Sequence, residues 1–65
     1  MALSEFLKVA VLFAHEEEVA EALFRAGEVL EAQGHLAQAR ERFAEAATNH
    51  PETTYGDRAR RRLTD

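Results

Sequence analysis

Sixty-five residues leave room for one small domain, and a chain of that length buries only about 60% of the surface its unfolded form exposes. It has no cysteine, which excludes a disulfide-stapled secreted domain and leaves metal binding or association to supplement a marginal core. Twelve acidic against eight basic residues give a net charge of −4, the wrong sign for a general nucleic-acid binder, and no apolar run approaches the roughly 18 residues of a membrane span.

Ala, Glu, Leu and Arg dominate around a single proline, a helical composition, and four helical segments are predicted within one domain spanning 1–65. The first covers 3–14. Leu3, Phe6, Leu7, Val9, Ala10, Val11, Leu12, Phe13 and Ala14 surround it, interrupted only by Ser4, Glu5 and Lys8. A helix apolar on every side must be covered on every side. Segment 9–14 has no basic leader and no convincing cleavage site, so it is not read as a signal peptide. The default compartment is therefore the cytoplasm, with the periplasm open if the chain is a fragment.

The second predicted helix, 16–33, places Glu16, Glu17 and Glu18 in its first turn, where the helix dipole favours negative charge, and stops at Gly34. Plotted at about 100° per residue, Val19, Ala20, Ala22, Leu23, Phe24, Ala26, Gly27, Val29 and Leu30 cover more than half its circumference, which implies a neighbour on each flank. The third, 36–49, carries one apolar stripe of Leu36, Ala39, Phe43, Ala46 and Ala47 and is ended by Pro51. The second and third together make a complete hairpin over 16–50. The fourth, 54–63, begins with Thr54 and Asp57 in a variant of the capping box and ends in arginines. Its narrow stripe of Tyr55, Ala59 and Leu63 suits a solvating cap at the end of a stack.

Comparing the chain with itself at an offset of 37, which carries Ala2 onto Ala39, also aligns Phe6 with Phe43, Ala10 with Ala47 and Ala22 with Ala59. The segment Phe13-Ala14-His15 then falls on His50-Pro51-Glu52. A fixed period of this size marks a repeat array. The order Leu23, Ala26, Gly27, Leu30, Ala39, Phe43, Ala46, Pro51 resembles one tetratricopeptide repeat (TPR) over roughly 20–53, although the two large aromatics of the family's first helix are missing. The phrase Asn49-His50-Pro51-Glu52-Thr53-Thr54-Tyr55 is similar to the closing turn of a bacterial subclass that includes the tol-pal coordinator and the outer-membrane assembly lipoprotein. The resemblance implies an all-α, TPR-like antiparallel hairpin with a flanking helix on each side. Residues 3–14 would belong to a partial preceding repeat and 54–63 to a capping helix.

The resemblance also implies a non-catalytic scaffold for protein–protein interaction. The groove of such scaffolds is lined by the first helix of each repeat, here Glu21, Phe24, Arg25, Glu28 and Glu31. An acidic groove favours a basic or amphipathic peptide, and the alternative for Phe24 is packing on the first helix. Phe24 and Glu28 stand where carboxylate-clamping relatives place Lys and Asn, which argues against a carboxylate clamp. The uncovered first helix has two explanations. A preceding hairpin belongs to a longer array, or a second copy of the chain supplies the cover through Leu3, Phe6, Leu7, Val9, Ala10, Leu12 and Phe13. Either way the isolated chain is expected to self-associate, most simply as a dimer.

No catalytic, cofactor or metal site is predicted. His15, Glu16, Glu17 and Glu18 are consecutive and diverge around a helix, and only His15 with Glu18 has a shared-face spacing. They read as a solvated helix start. His35 and His50 read as surface or capping residues. There is no phosphate-binding glycine loop and no thiol nucleophile, and Ser4, the only serine, has nothing beside it to activate it. The alternative activity is binding of nucleic acid or an anionic surface through Arg58, Arg60, Arg61 and Arg62, a compact patch set against the acidic balance of the whole chain.

Overall fold

In a computed structural model the chain forms three α-helices, α1 (Ala2–Ala32), α2 (Leu36–Asn49) and α3 (Thr54–Thr64). The structure describes the backbone of residues 2–64 and the side chains of Leu12 and of residues 14–64. The all-α class follows the sequence reading, and the second hairpin helix and the last helix fall within a residue of their expected bounds.

One boundary does not. The separate helices expected over 3–14 and 16–33 are a single helix, α1, which passes through His15 without a break. Nothing between Ala14 and Val19 is a glycine, a proline or a strong N-cap residue, so the backbone has no reason to leave the helix there. At the aligned position between α2 and α3, Pro51 has no N–H to donate and the chain turns. At about 1.5 Å per residue α1 is some 46 Å long and α2 about 21 Å. The end of α2 meets α1 at Glu16, so the N-terminal half of α1 runs on beyond α2 and α3, and the molecule measures 50 × 19 × 12 Å. Of the residues assigned to self-association, Leu3, Phe6, Leu7, Val9, Ala10 and Phe13 have side chains outside those described. Leu12 is described and is 64% exposed.

The α1–α2 turn closes in a paired pattern at Gly34. Its φ is 83°, its N–H donates to the Glu31 carbonyl (3.0 Å), and the next N–H, of His35, donates to the Leu30 carbonyl (2.8 Å). This left-handed cap satisfies two carbonyls that the end of α1 leaves without helical partners. It turns α2 back along the C-terminal half of α1.

The core is small and sits among the three helices. Ala20, Phe24, Ala39, Phe43, Ala46 and Ala59 are buried, with Leu23, Leu30, Ala47, Tyr55 and Leu63 packed around all but Ala20. Phe24 stands between two rings, its centroid 5.4 Å from that of Phe43 and 5.4 Å from that of Tyr55, both tilted. Such geometry sets positive ring edges against negative faces. Alanines at the helix contacts let the backbones approach. Gly27 takes this furthest: a Cβ there would lie 2.6 Å from Cε1 of Phe43.

The wide apolar arc of the second predicted helix is therefore only partly used. Ala20, Phe24 and Gly27 are buried and Leu23 and Leu30 half-buried, whereas Ala22 and Val29 are exposed. The second neighbour expected on that flank is not supplied by α2 or α3.

The start of α3 also differs from the expected capping box. Thr53, not Thr54, is the N-cap: its buried hydroxyl accepts from the Gly56 N–H (2.9 Å) and donates to the His50 carbonyl (2.7 Å). Asp57 instead turns toward Arg60 and Arg61. Thr54 offers its backbone N–H to α1, as described below.

The Gly27–Phe43 contact yields a direct expectation. Gly27→Ala gains up to about 1 kcal/mol of helix propensity but forces a buried ring to move, a cost of roughly 1–3 kcal/mol. Urea denaturation is expected to give a net loss of about 1 kcal/mol. In a Phe43→Leu background, where the ring is gone, the same substitution should be neutral or stabilising.

Candidate functional site

The residues expected to line a groove lie on the face that α1 shares with α3. Arg25 is the centre of that face. Its guanidinium lies 3.5 Å from Glu21 and 3.6 Å from Glu28, donates to the Tyr55 hydroxyl at 3.4 Å, and stands 5.8 Å from the Tyr55 ring centroid. Arg58 of α3 approaches the same ring at 5.0 Å. Glu31 pairs with Arg62, whose guanidinium also lies 5.2 Å from the Phe43 ring. Phe24 is corrected by these contacts. It is 7% exposed and belongs to the core, where it packs between Phe43 and Tyr55 rather than on the segment 3–14. The other four acidic and basic groove residues carry exposed or half-exposed side chains, already occupied in fastening α1 to itself and to α3.

The four arginines of α3 are not one free cationic patch. Arg60 and Arg61 share the Asp57 carboxylate at 2.9 and 3.1 Å, and Arg62 holds Glu31. Among the described residues Arg58 alone of the four has no carboxylate partner, and it lies over Tyr55. The hydrogen bond from Arg60 holds the Asp57 carboxyl below its ordinary value of 3.8; desolvation opposes this, and the charges of Arg61 and Arg60 add to the lowering.

The three glutamates read as a solvated helix start lie mid-helix instead, and two of them hold the α2–α3 turn. Glu17 accepts the Thr54 N–H at 2.7 Å, a charge-assisted bond to an orphan donor at the positive end of α3. Glu16 pairs with Nδ1 of His50, the residue that ends α2. Glu18 faces solvent. Spacing along one helix could not find this clasp, because its partners are distant in sequence. The self-comparison held the signal: Glu17 and Thr54 are separated by 37 residues, the offset at which the chain matches itself. The turn also carries a notch of about 210 Å³ lined by Glu16, Asn49, His50, Pro51, Glu52 and Thr53. Among the described residues no three His, Asp or Glu side chains gather as metal ligands. His15 and His35 are exposed and apart.

The remaining surface of note is the flank of α1 turned away from α2 and α3. Leu12 is 64% exposed and Val29 56%, Ala22 is exposed, and Val19 and Ala26 are half-buried between them. Among the described residues, no helix is long and apolar enough to cross a membrane. No family model, curated protein or solved structure matches the chain.

Two outcomes follow from the polar contacts. Because the folded pKa of Asp57 is depressed, its stabilising contribution is fully present above the unfolded value near 4 and is lost as pH falls through the lower folded value. Carbonyl NMR of Arg60→Ala should show Asp57 titrating at higher pH than in the unaltered chain. Glu17→Ala removes the acceptor at the start of α3 and should lower stability by about 1 kcal/mol. Amide exchange should quicken at Thr54 and the first turn of α3 before it quickens in α2.

Proposed function

We propose that this chain is a TPR-like helical scaffold that works by binding protein, a second copy of itself included, without catalysis. The observation that carries the reading is the exposed apolar flank of α1. Leu12 and Val29 are more than half exposed in a molecule whose described core contains only two buried side chains larger than alanine among its hydrophobic residues, Phe24 and Phe43. Leaving such surface in water costs about 25 cal/mol per Å², and a marginal 65-residue domain gains by covering it.

The TPR likeness is supported by the way its quoted residues are used. Gly27 admits the Phe43 ring, Ala39 and Ala46 are buried where α2 meets its neighbours, and α3 follows the Pro51 turn to lie against both earlier helices. The alternative, binding of nucleic acid or an anionic surface through α3, is weakened by the carboxylates already paired with Arg60, Arg61 and Arg62.

Sedimentation equilibrium of the whole chain tests the reading. Association in the micromolar range is expected. Leu12→Glu with Val29→Glu should reduce it, and Arg60→Glu with Arg61→Glu should leave it intact. A stable monomer throughout that range overturns self-association, and duplex binding at low salt that is lost on reversing Arg60 and Arg61 would establish the alternative.

A further inference from the structure

We infer that the exposed flank of α1 is an antiparallel seam to the same flank of a second copy, in one register. This rests on the self-association proposed above and assigns it a face, a direction and a pairing. Leu12, His15, Val19, Ala22, Ala26 and Val29 succeed one another in alternating steps of three and four residues, the spacing of a coiled-coil seam. The described positions are exposed or half-buried, and α1 is unbroken across them, so the six lie along one straight edge. Ala22 and Ala26 keep the middle of that edge low, which lets two helices approach closely.

Charge selects the direction. The residues bordering the seam on one side are Glu18 and Arg25, one seam repeat apart and both exposed. In a parallel pair, Glu18 and Arg25 would each border Leu23 or Leu30 of the second copy, and no charge would be matched. In an antiparallel pair, residues on this border meet their own kind from the other helix. Antiparallel registers that oppose seam residues are of two kinds. The first opposes only four of the six and sets Arg25 against Arg25, or Glu18 against Glu18, of the second copy, which is repulsive. The second opposes all six and sets Glu18 against Arg25 of the second copy, and by symmetry Arg25 against Glu18 of the second copy.

That second register also pairs the large residues. Leu12 lies opposite Val29 of the second copy, Val19 opposite Ala22, and His15 opposite Ala26, whose small side chain leaves the imidazole a route to water. Leu12 and Val29 are the two large hydrophobic residues of α1 that stand most exposed among those described, and here each covers the other. Arg25 is able to take part: it is 62% exposed, and its pairs to Glu21 and Glu28 are long, at 3.5 and 3.6 Å. The arrangement is a closed two-fold interface with α2 and α3 of each copy outside the seam, and Arg25 stands where the seam borders the face that α1 shares with α3.

The chain has no cysteine, so introduced thiols are unambiguous. Leu12→Cys and Val29→Cys chains are prepared separately, mixed and mildly oxidised. A crosslinked heterodimer that neither chain forms alone supports the seam. In parallel, Glu18→Arg and Arg25→Glu each place like charges at both border contacts and should raise the dimer Kd about tenfold. An equimolar mixture of the two variants should recover the original affinity. All four positions are exposed. Because Arg25→Glu also removes the links to Glu21, Glu28 and Tyr55, circular dichroism and urea denaturation check the fold of each variant, and Glu18→Arg carries the charge test by itself where Arg25→Glu is unfolded. If Leu12→Cys crosslinks to itself, the pairing is parallel and the inference falls. If the chain is dimeric but the mixture gives no crosslink, and charge reversal has no effect, another face is used; the scaffold reading then survives and the seam does not. A wild-type monomer overturns the seam together with self-association.

Discussion

The fold depends on the ring of Phe43 lying against the bare backbone of Gly27. That contact brings α1 and α2 together, and it also fixes where the aromatic row begins, because Phe24 and then Tyr55 stack outward from Phe43 at equal centroid distances. Around it the core is built largely from alanine methyls. Alanine buries little area, so close helix approach rather than side-chain bulk supplies the packing, and the dispersion gained depends on the helices not being held apart. A glycine that admits the largest buried side chain is the geometric condition for the rest.

A core this thin shifts weight onto the polar links between helices. Glu17 to the first amide of α3, Arg25 to Tyr55, Glu31 to Arg62 and Arg40 to the Leu63 carbonyl tie α3 to the other helices at both of its ends, and Glu16 to His50 ties the end of α2 to α1. Individually such surface contacts contribute little. Together they set the position of a helix that presents only one narrow apolar edge. The cost is that charged residues that look like ligand contacts are already engaged within the molecule.

Much of the architecture was legible in the sequence because it is local. The helical composition, the stop at Gly34, the stripe of Ala39, Phe43 and Ala46, and the turn at Pro51 all act within a few residues of where they are written. What escaped was of two kinds. The continuity of α1 depends on the absence of a breaker at 14–18, and an absence is easily overwritten by a repeat alignment that sets those residues against a true turn. The roles of Glu17, Phe24 and Arg62 depend on partners on other helices, which no periodicity along one helix reveals. Arg60 and Arg61 differ, since their partner Asp57 stands on their own helix at the three- and four-residue spacing. Thr53 was missed in favour of Thr54 for a smaller reason: two adjacent threonines both satisfy the N-cap preference, and only the turn geometry that directs one hydroxyl inward separates them.

The unbroken path of α1 has a consequence for how this chain tolerates change in length. A flexible loop absorbs an inserted residue with no effect on what lies beyond it. A continuous helix does not: each residue added or removed near His15 rotates everything on its far side by about 100° and moves it about 1.5 Å. The two halves of α1 are thus locked in phase, and an insertion there would swing the N-terminal half to another side of the molecule while leaving the three-helix unit folded. Restoring the original facing would take a change of three or four residues, nearly one whole turn.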